Sequence, residues 1–104
     1  MLEYRVERWL NPGEPVAEEL AAIMRAEGYS VFKWSDGPGA AYADHQHGED
    51  QSHWIISGTM ELTVQVEGLI QLGPGDRDFM PAGTMHSARV KGNKPVVYLI
   101  GAKR

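Results

Sequence analysis

The sequence predicts an all-β fold, a sandwich or small barrel, with one helix near the N-terminus. Two features carry this reading. From Gly28 onward, short apolar runs are separated by glycine and proline turns at near-regular spacing, the pattern of a closed or double-layered antiparallel structure. Before Gly28, one segment repeats its apolar residues at the helical period. In chain order, Leu2, Tyr4 and Val6 alternate with Glu3, Arg5 and Glu7, which predicts a half-buried strand within residues 2–9. Asn11-Pro12-Gly13 ends it. The helix is expected over residues 15–27. Pro15 suits its first position, Glu18 and Glu19 its positive end, and Gly28 the left-handed residue after its last turn. Val16, Leu20, Ile23 and Met24 form its apolar stripe, expected to pack on the chain's own core. Strands are then expected at 29–34, 41–47, 51–56, 59–66, 70–72, 79–80, 85–90 and 95–100, with turns at Gly37-Pro38-Gly39, Gly58, Gly68, Gly73-Pro74-Gly75 and Pro81-Ala82-Gly83.

The 104 residues fit one domain, 1–104, divided into a strand-and-helix part at about 1–28 and a β region at about 29–101. The formal charge is −4, and the longest basic run is the terminal Lys103-Arg104 pair, which argues against nucleic acid as a partner. There is no cysteine, so thiolate metal sites, disulfides and cysteine nucleophiles are excluded. No apolar run is long enough to span a bilayer and no cationic leader precedes one, so a cytoplasmic location without membrane contact is expected. Phosphate loops, nucleophile elbows and HExxH helices are also missing.

The chemistry is concentrated in His45, His47, His53 and His86, with Gln51. On regular strands Ala41, Ala43, His45 and His47 share one face, Gln51, His53 and Ile55 another, and His86, Ala88 and Val90 a third. If these faces line one interior, buried imidazoles need partners, and a transition metal satisfies several at once. Trp34, Tyr42 and Trp54 fall on the opposite faces by the same count, at a sheet interface or subunit contact rather than a ligand pocket. Glu49 and Asp50 are expected to face solvent, and Asp76 and Asp78 to lie in a solvated turn or local ion pair. Asp44 beside His45 is no triad, because neighbouring strand residues point apart.

Two segments resemble the cupin motifs. Gly39-x5-His45-x-His47-x3-Gln51-x6-Gly58 is similar to the first in every spacing, and Gly75-x5-Pro81-x-Gly83-x2-His86 to the second, with a short connection between. The resemblance implies a double-stranded β-helix, or jelly-roll barrel, with a divalent transition metal (Zn, Ni, Mn, Fe or Cu) held inside. It carries the ligand positions onto His45, His47, Gln51 and His86. Gln51 stands where the family usually has Glu, which removes a negative charge and weakens that ligand; Val90 stands where it has Asn. His53, two residues beyond Gln51, is the alternative fourth ligand or the proton carrier, and we take it as the catalytic candidate. The resemblance further implies a small-molecule substrate, with dioxygenase, isomerase or decarboxylase chemistry. A non-catalytic sensor of a small ligand is the alternative, and a purely structural metal site a third reading. Similar small cupins pair through edge strands, so a homodimer is expected, with the N-terminal strand and Trp9 as a candidate contact.

Overall fold

The computed structural model describes residues 3–103; Leu2 of the expected first strand and Arg104 of the basic pair lie outside the described residues. Among these residues the strands are β1 (Arg5–Glu7), β2 (Ser30–Asp36), β3 (Ala41–His45), β4 (Asp50–Ser57), β5 (Thr59–Val64), β6 (Gly68–Leu72), β7 (Arg77–Met80), β8 (His86–Lys91) and β9 (Val96–Lys103), with helix α1 (Ala17–Ala26) after β1. They form two antiparallel sheets, one ordered β1-β7-β4-β9-β2 and the other β3-β8-β5-β6. This two-sheet arrangement is the jelly-roll architecture.

Alternation assigns the inner face. Tyr4, Ile55, Met60, Leu62, Val64, Leu72, Met80, Val90, Val96 and Tyr98 are buried together between the sheets. The opposite face of the larger sheet carries α1, where Leu20, Ala21 and Met24 meet Tyr29 and Leu99, with Trp54 packed beside them. The stripe expected on α1 is therefore turned. Ala21 is buried in it, whereas Val16 is 48% exposed and Ile23 45% exposed. The helix rests close to β9 because residue 101 is glycine: a Cβ there would stand 2.5 Å from the Met24 terminal methyl carbon.

Trp9, the candidate subunit contact, lays its ring over Gly75, where any side chain would collide with it, and its Nε1–H donates to the Gly13 carbonyl at 2.9 Å. Trp54 does face away from the interior, under α1. Arg77 lies across it, 4.5 Å from the ring centroid, and reaches Glu27 at 2.6 Å, tying the helix end to the sheet. Among the described residues no helix is long and apolar enough to cross a membrane.

Candidate metal centre

Two cross-strand rows build the site. In the smaller sheet His45 on β3 lies opposite His86 on β8, which lies opposite Val64 on β5. His47 follows just after β3, and its carbonyl accepts the Gly83 N–H at 2.9 Å, pinning the turn before His86 to the first histidine segment. The three rings cluster, with centroids 4.3 Å apart for His45 and His86, 4.9 Å for His45 and His47, and 5.2 Å for His47 and His86. One nitrogen from each lies within 4.8 Å of the others, an arrangement able to hold a metal ion.

Backbone carbonyls orient two of these rings. His45 Nδ1 lies 2.6 Å from the Ala43 carbonyl, and His86 Nδ1 lies 2.9 Å from the Thr84 carbonyl. A carbonyl only accepts, so each Nδ1 carries the hydrogen and each Nε2 keeps its lone pair for a metal. Proton affinity is low here as well. Burial, then the neighbouring imidazoles of His86 and His45, push the His47 pKa down to about 4. Burial also lowers His86, against the pull of the Thr84 carbonyl. Neutral imidazoles are what a divalent transition metal requires, so the residues fit such an ion.

The larger sheet supplies the opposite wall. Gln51 and His53, both buried on β4, line the same cavity of about 440 Å³ as the three clustered histidines. No Asp or Glu of the described residues joins the cluster. His53 has a different neighbour. Asp78, directly across on β7, is fully buried, and its Oδ1 takes both the His53 backbone N–H at 2.8 Å and Nδ1 at 2.9 Å. Its Oδ2 accepts the Tyr4 hydroxyl at 3.0 Å. Burial alone would lower the His53 pKa, but the charge and hydrogen bond of Asp78 outweigh it and the net shift is upward. The carboxylate fixes the hydrogen on Nδ1 and leaves Nε2 for the cavity.

Three expectations are corrected. Asp78 is no turn residue: β7 begins at Arg77, which turns Asp78 inward beside His53. Asp50 is half-buried and accepts the Ala82 N–H at 2.9 Å rather than facing solvent, and Asp76 pairs at 3.0 Å with Arg8, a partner distant in sequence rather than a local one. Tyr42 and Trp34 line the cavity instead of avoiding it. Between Tyr42 and His45 strand β3 carries a bulge: Tyr42 pairs with Ala88 and His45 with His86, three residues against two. That extra residue reverses the parity and puts Tyr42 on the same face as His45. Trp34 pairs with Tyr98, an inner-face residue, and so points inward too.

The profile of the cupin domain family matches residues 32–100, about two thirds of the chain. This chain belongs to the cupin family. The cupin barrel is also similar to the dimethylsulfoniopropionate lyase DddQ of Ruegeria pomeroyi, at 32% identity over 62 residues, which is 60% of this chain and 30% of that protein. The crystal structure of DddQ superposes with a TM-score of 0.67 at 26% identity, over 73% of this chain and 38% of the other. KdgF from Halomonas sp. gives 0.59 at 27% identity, covering 73% of this cupin and 71% of that chain. Oxalate decarboxylase of Bacillus subtilis shares the fold, with a TM-score of 0.65 at 24% identity over 72% of this chain and 21% of its own. The chain thus spans about a third of the length of the lyase it matches.

Proposed function

We propose that this cupin is a metal-dependent enzyme that moves a proton on a small organic acid. The observation that carries the reading is the juxtaposition, in one cavity, of three converging imidazoles and a fourth histidine oriented by a buried carboxylate. His45, His47 and His86 are the metal ligands, with Gln51 as the fourth, and the ion is one of Zn, Ni, Mn, Fe or Cu. When bound there, such an ion supplies Lewis acidity to a carboxylate or enolate oxygen. The chain's own residues do the rest. His53 exchanges the proton through Nε2, Asp78 holds its tautomer, and Met60, Leu62, Ala88 and Ile100 keep the cavity apolar. A proton carrier fits isomerase, decarboxylase or lyase chemistry more directly than dioxygen chemistry. Dimethylsulfoniopropionate is the first substrate to try, because DddQ, a relative, is a lyase of that carboxylate. We also infer a homodimer built on an open sheet edge, for which β1 and β2 are available.

The test combines elemental analysis with turnover of a panel of small carboxylates. One metal per chain is expected, with product formation that falls at least ~100-fold in His53→Ala while metal content is retained. Protein purified without metal and unable to take one up would overturn the reading. Ligand bound and recovered unchanged would assign a sensor instead. Gel filtration at twice the chain mass is expected for the dimer.

A further inference from the structure

We propose that the mouth of the cavity is a subsite for a small onium cation, a methylated ammonium or sulfonium group, held on aromatic faces in front of Asp36. The placement deepens the reading above and rests on it only for where the rest of the ligand goes, toward the histidines.

Four aromatic side chains line the cavity: Phe32 and Trp34 on β2, Tyr42 after the turn on β3, and the buried Tyr98 on β9. Three of them are unusually open, Phe32 at 64%, Trp34 at 51% and Tyr42 at 42% exposure. Their polar edges are all engaged by one group. Trp34 Nε1–H donates to Asp36 Oδ1 at 3.1 Å, the Tyr42 hydroxyl donates to the same oxygen at 2.8 Å, and the Tyr98 hydroxyl donates to Oδ2 at 2.8 Å. With those polar atoms engaged by Asp36, what the three rings leave for the cavity is carbon. Donation to a carboxylate also drives electron density back into each ring, which strengthens attraction for a cation over its face.

Asp36 is buried, and among the described residues it belongs to none of the ion pairs. Its charge is held by neutral donors only. The chain's own cations do sit on aromatic rings, but elsewhere. Arg5 and Arg77 lie over Phe79, Arg77 over Trp54, and Lys103 over Tyr29, all on the outer face of the larger sheet. Among the described residues, no lysine or arginine lines the cavity. The mouth therefore combines aromatic rings, a buried carboxylate behind them that is held by neutral donors, and no lysine or arginine among the described lining residues. A hydrated point charge such as lysine's ammonium would lose its water in these apolar walls. A methylated onium group has little water to lose and presents a methyl surface that fits them.

The test is calorimetric titration with choline and with 3,3-dimethyl-1-butanol, its neutral isostere, on metal-loaded and chelator-stripped protein. Choline is expected to bind about 10-fold tighter than the alcohol in both forms. Trp34→Leu is expected to lower choline affinity about 10-fold, with Trp34→Phe recovering part of it. Tyr42→Phe, which keeps the ring and removes one donor to Asp36, is expected to weaken it less. Equal binding of the two probes would show an apolar pocket and overturn the proposal. So would absence of choline binding, or unchanged affinity in a folded Trp34→Leu protein. Choline binding without metal uptake would leave this subsite standing while removing the enzymatic reading, and metal uptake without choline binding would do the reverse.

Discussion

Two neighbourhoods of the same cavity treat imidazole in opposite ways. On the smaller sheet, His45, His47 and His86 crowd one another with no carboxylate among the described residues joining them, and the pKa values of His47 and His86 are pushed down. On the larger sheet, His53 is also buried but faces Asp78, and its pKa is pushed up. Burial acts in the same direction in both places. On the metal side burial prevails, with the neighbouring imidazoles adding to it; beside His53 an anion outweighs it. One wall of the barrel is thereby suited to a metal cation, while the other keeps a histidine that prefers to carry its proton.

The comparison can be broken at its strongest point first. His86→Ala removes the proposed ligand that links the two motifs, and metal affinity is expected to fall by at least ~100-fold, beyond the usual loss of an outer partner. Competition with a chromogenic chelator reads this directly. Asp78→Asn comes next. It replaces the anion that accepts three hydrogen bonds and leaves the His53 tautomer undefined. A loss of about 2–4 kcal/mol in denaturant unfolding is expected, together with a ~10–100-fold fall in kcat at retained metal content.

The smallest effect is in the pH profile of metal-free protein. His47 and His86 have lowered folded pKa values, so the unfolded chain takes up protons first. Their contribution is complete above ~6.5 and is lost as pH falls toward about 4, the value for His47. His53 has a raised folded pKa, so its contribution is complete below ~6.5 and is lost as pH rises through that folded pKa. Thermal melts in chelator are expected to peak near ~6.5 and decline on both sides. Asp78→Asn should flatten the alkaline side and, with burial alone then acting on His53, add to the acid-side decline; an alkaline decline unchanged in that variant would remove the contrast between the two walls.

Much of this was legible in the residues. Turn glycines and two-residue alternation placed each strand within a few positions, and the motif spacings brought residues 45–47 and 86 to one point. What escaped was local. The helical stripe was read through Val16 and Ile23, but Ala21 makes the closer contact because α1 lies almost flush on Gly101. Asp78 was assigned to a solvated turn or a local ion pair because Asp76, Arg77 and Asp78 together look solvated. Strand β7 starts there because Asp78 has Tyr4 and His53 to satisfy it and Arg77 has Trp54, Phe79 and Glu27 on the other side. The signal was present in the alternation of Asp78 and Met80 with Arg77 and Phe79. Tyr42 was misplaced by the bulge in β3, which no periodicity of five residues can reveal, and Trp34 because its face is set by its pairing with Tyr98 on β9.

A consequence follows from that irregularity. Were β3 to alternate strictly, its phenol and its imidazole would point to opposite sides of the sheet, and either the entrance or the metal end would lose a wall. One surplus amino acid lets a segment five residues long furnish both. Straightening β3 at constant length would turn one of the two away, whereas deleting one residue between Tyr42 and His45 would remove the bulge and leave both on the same face.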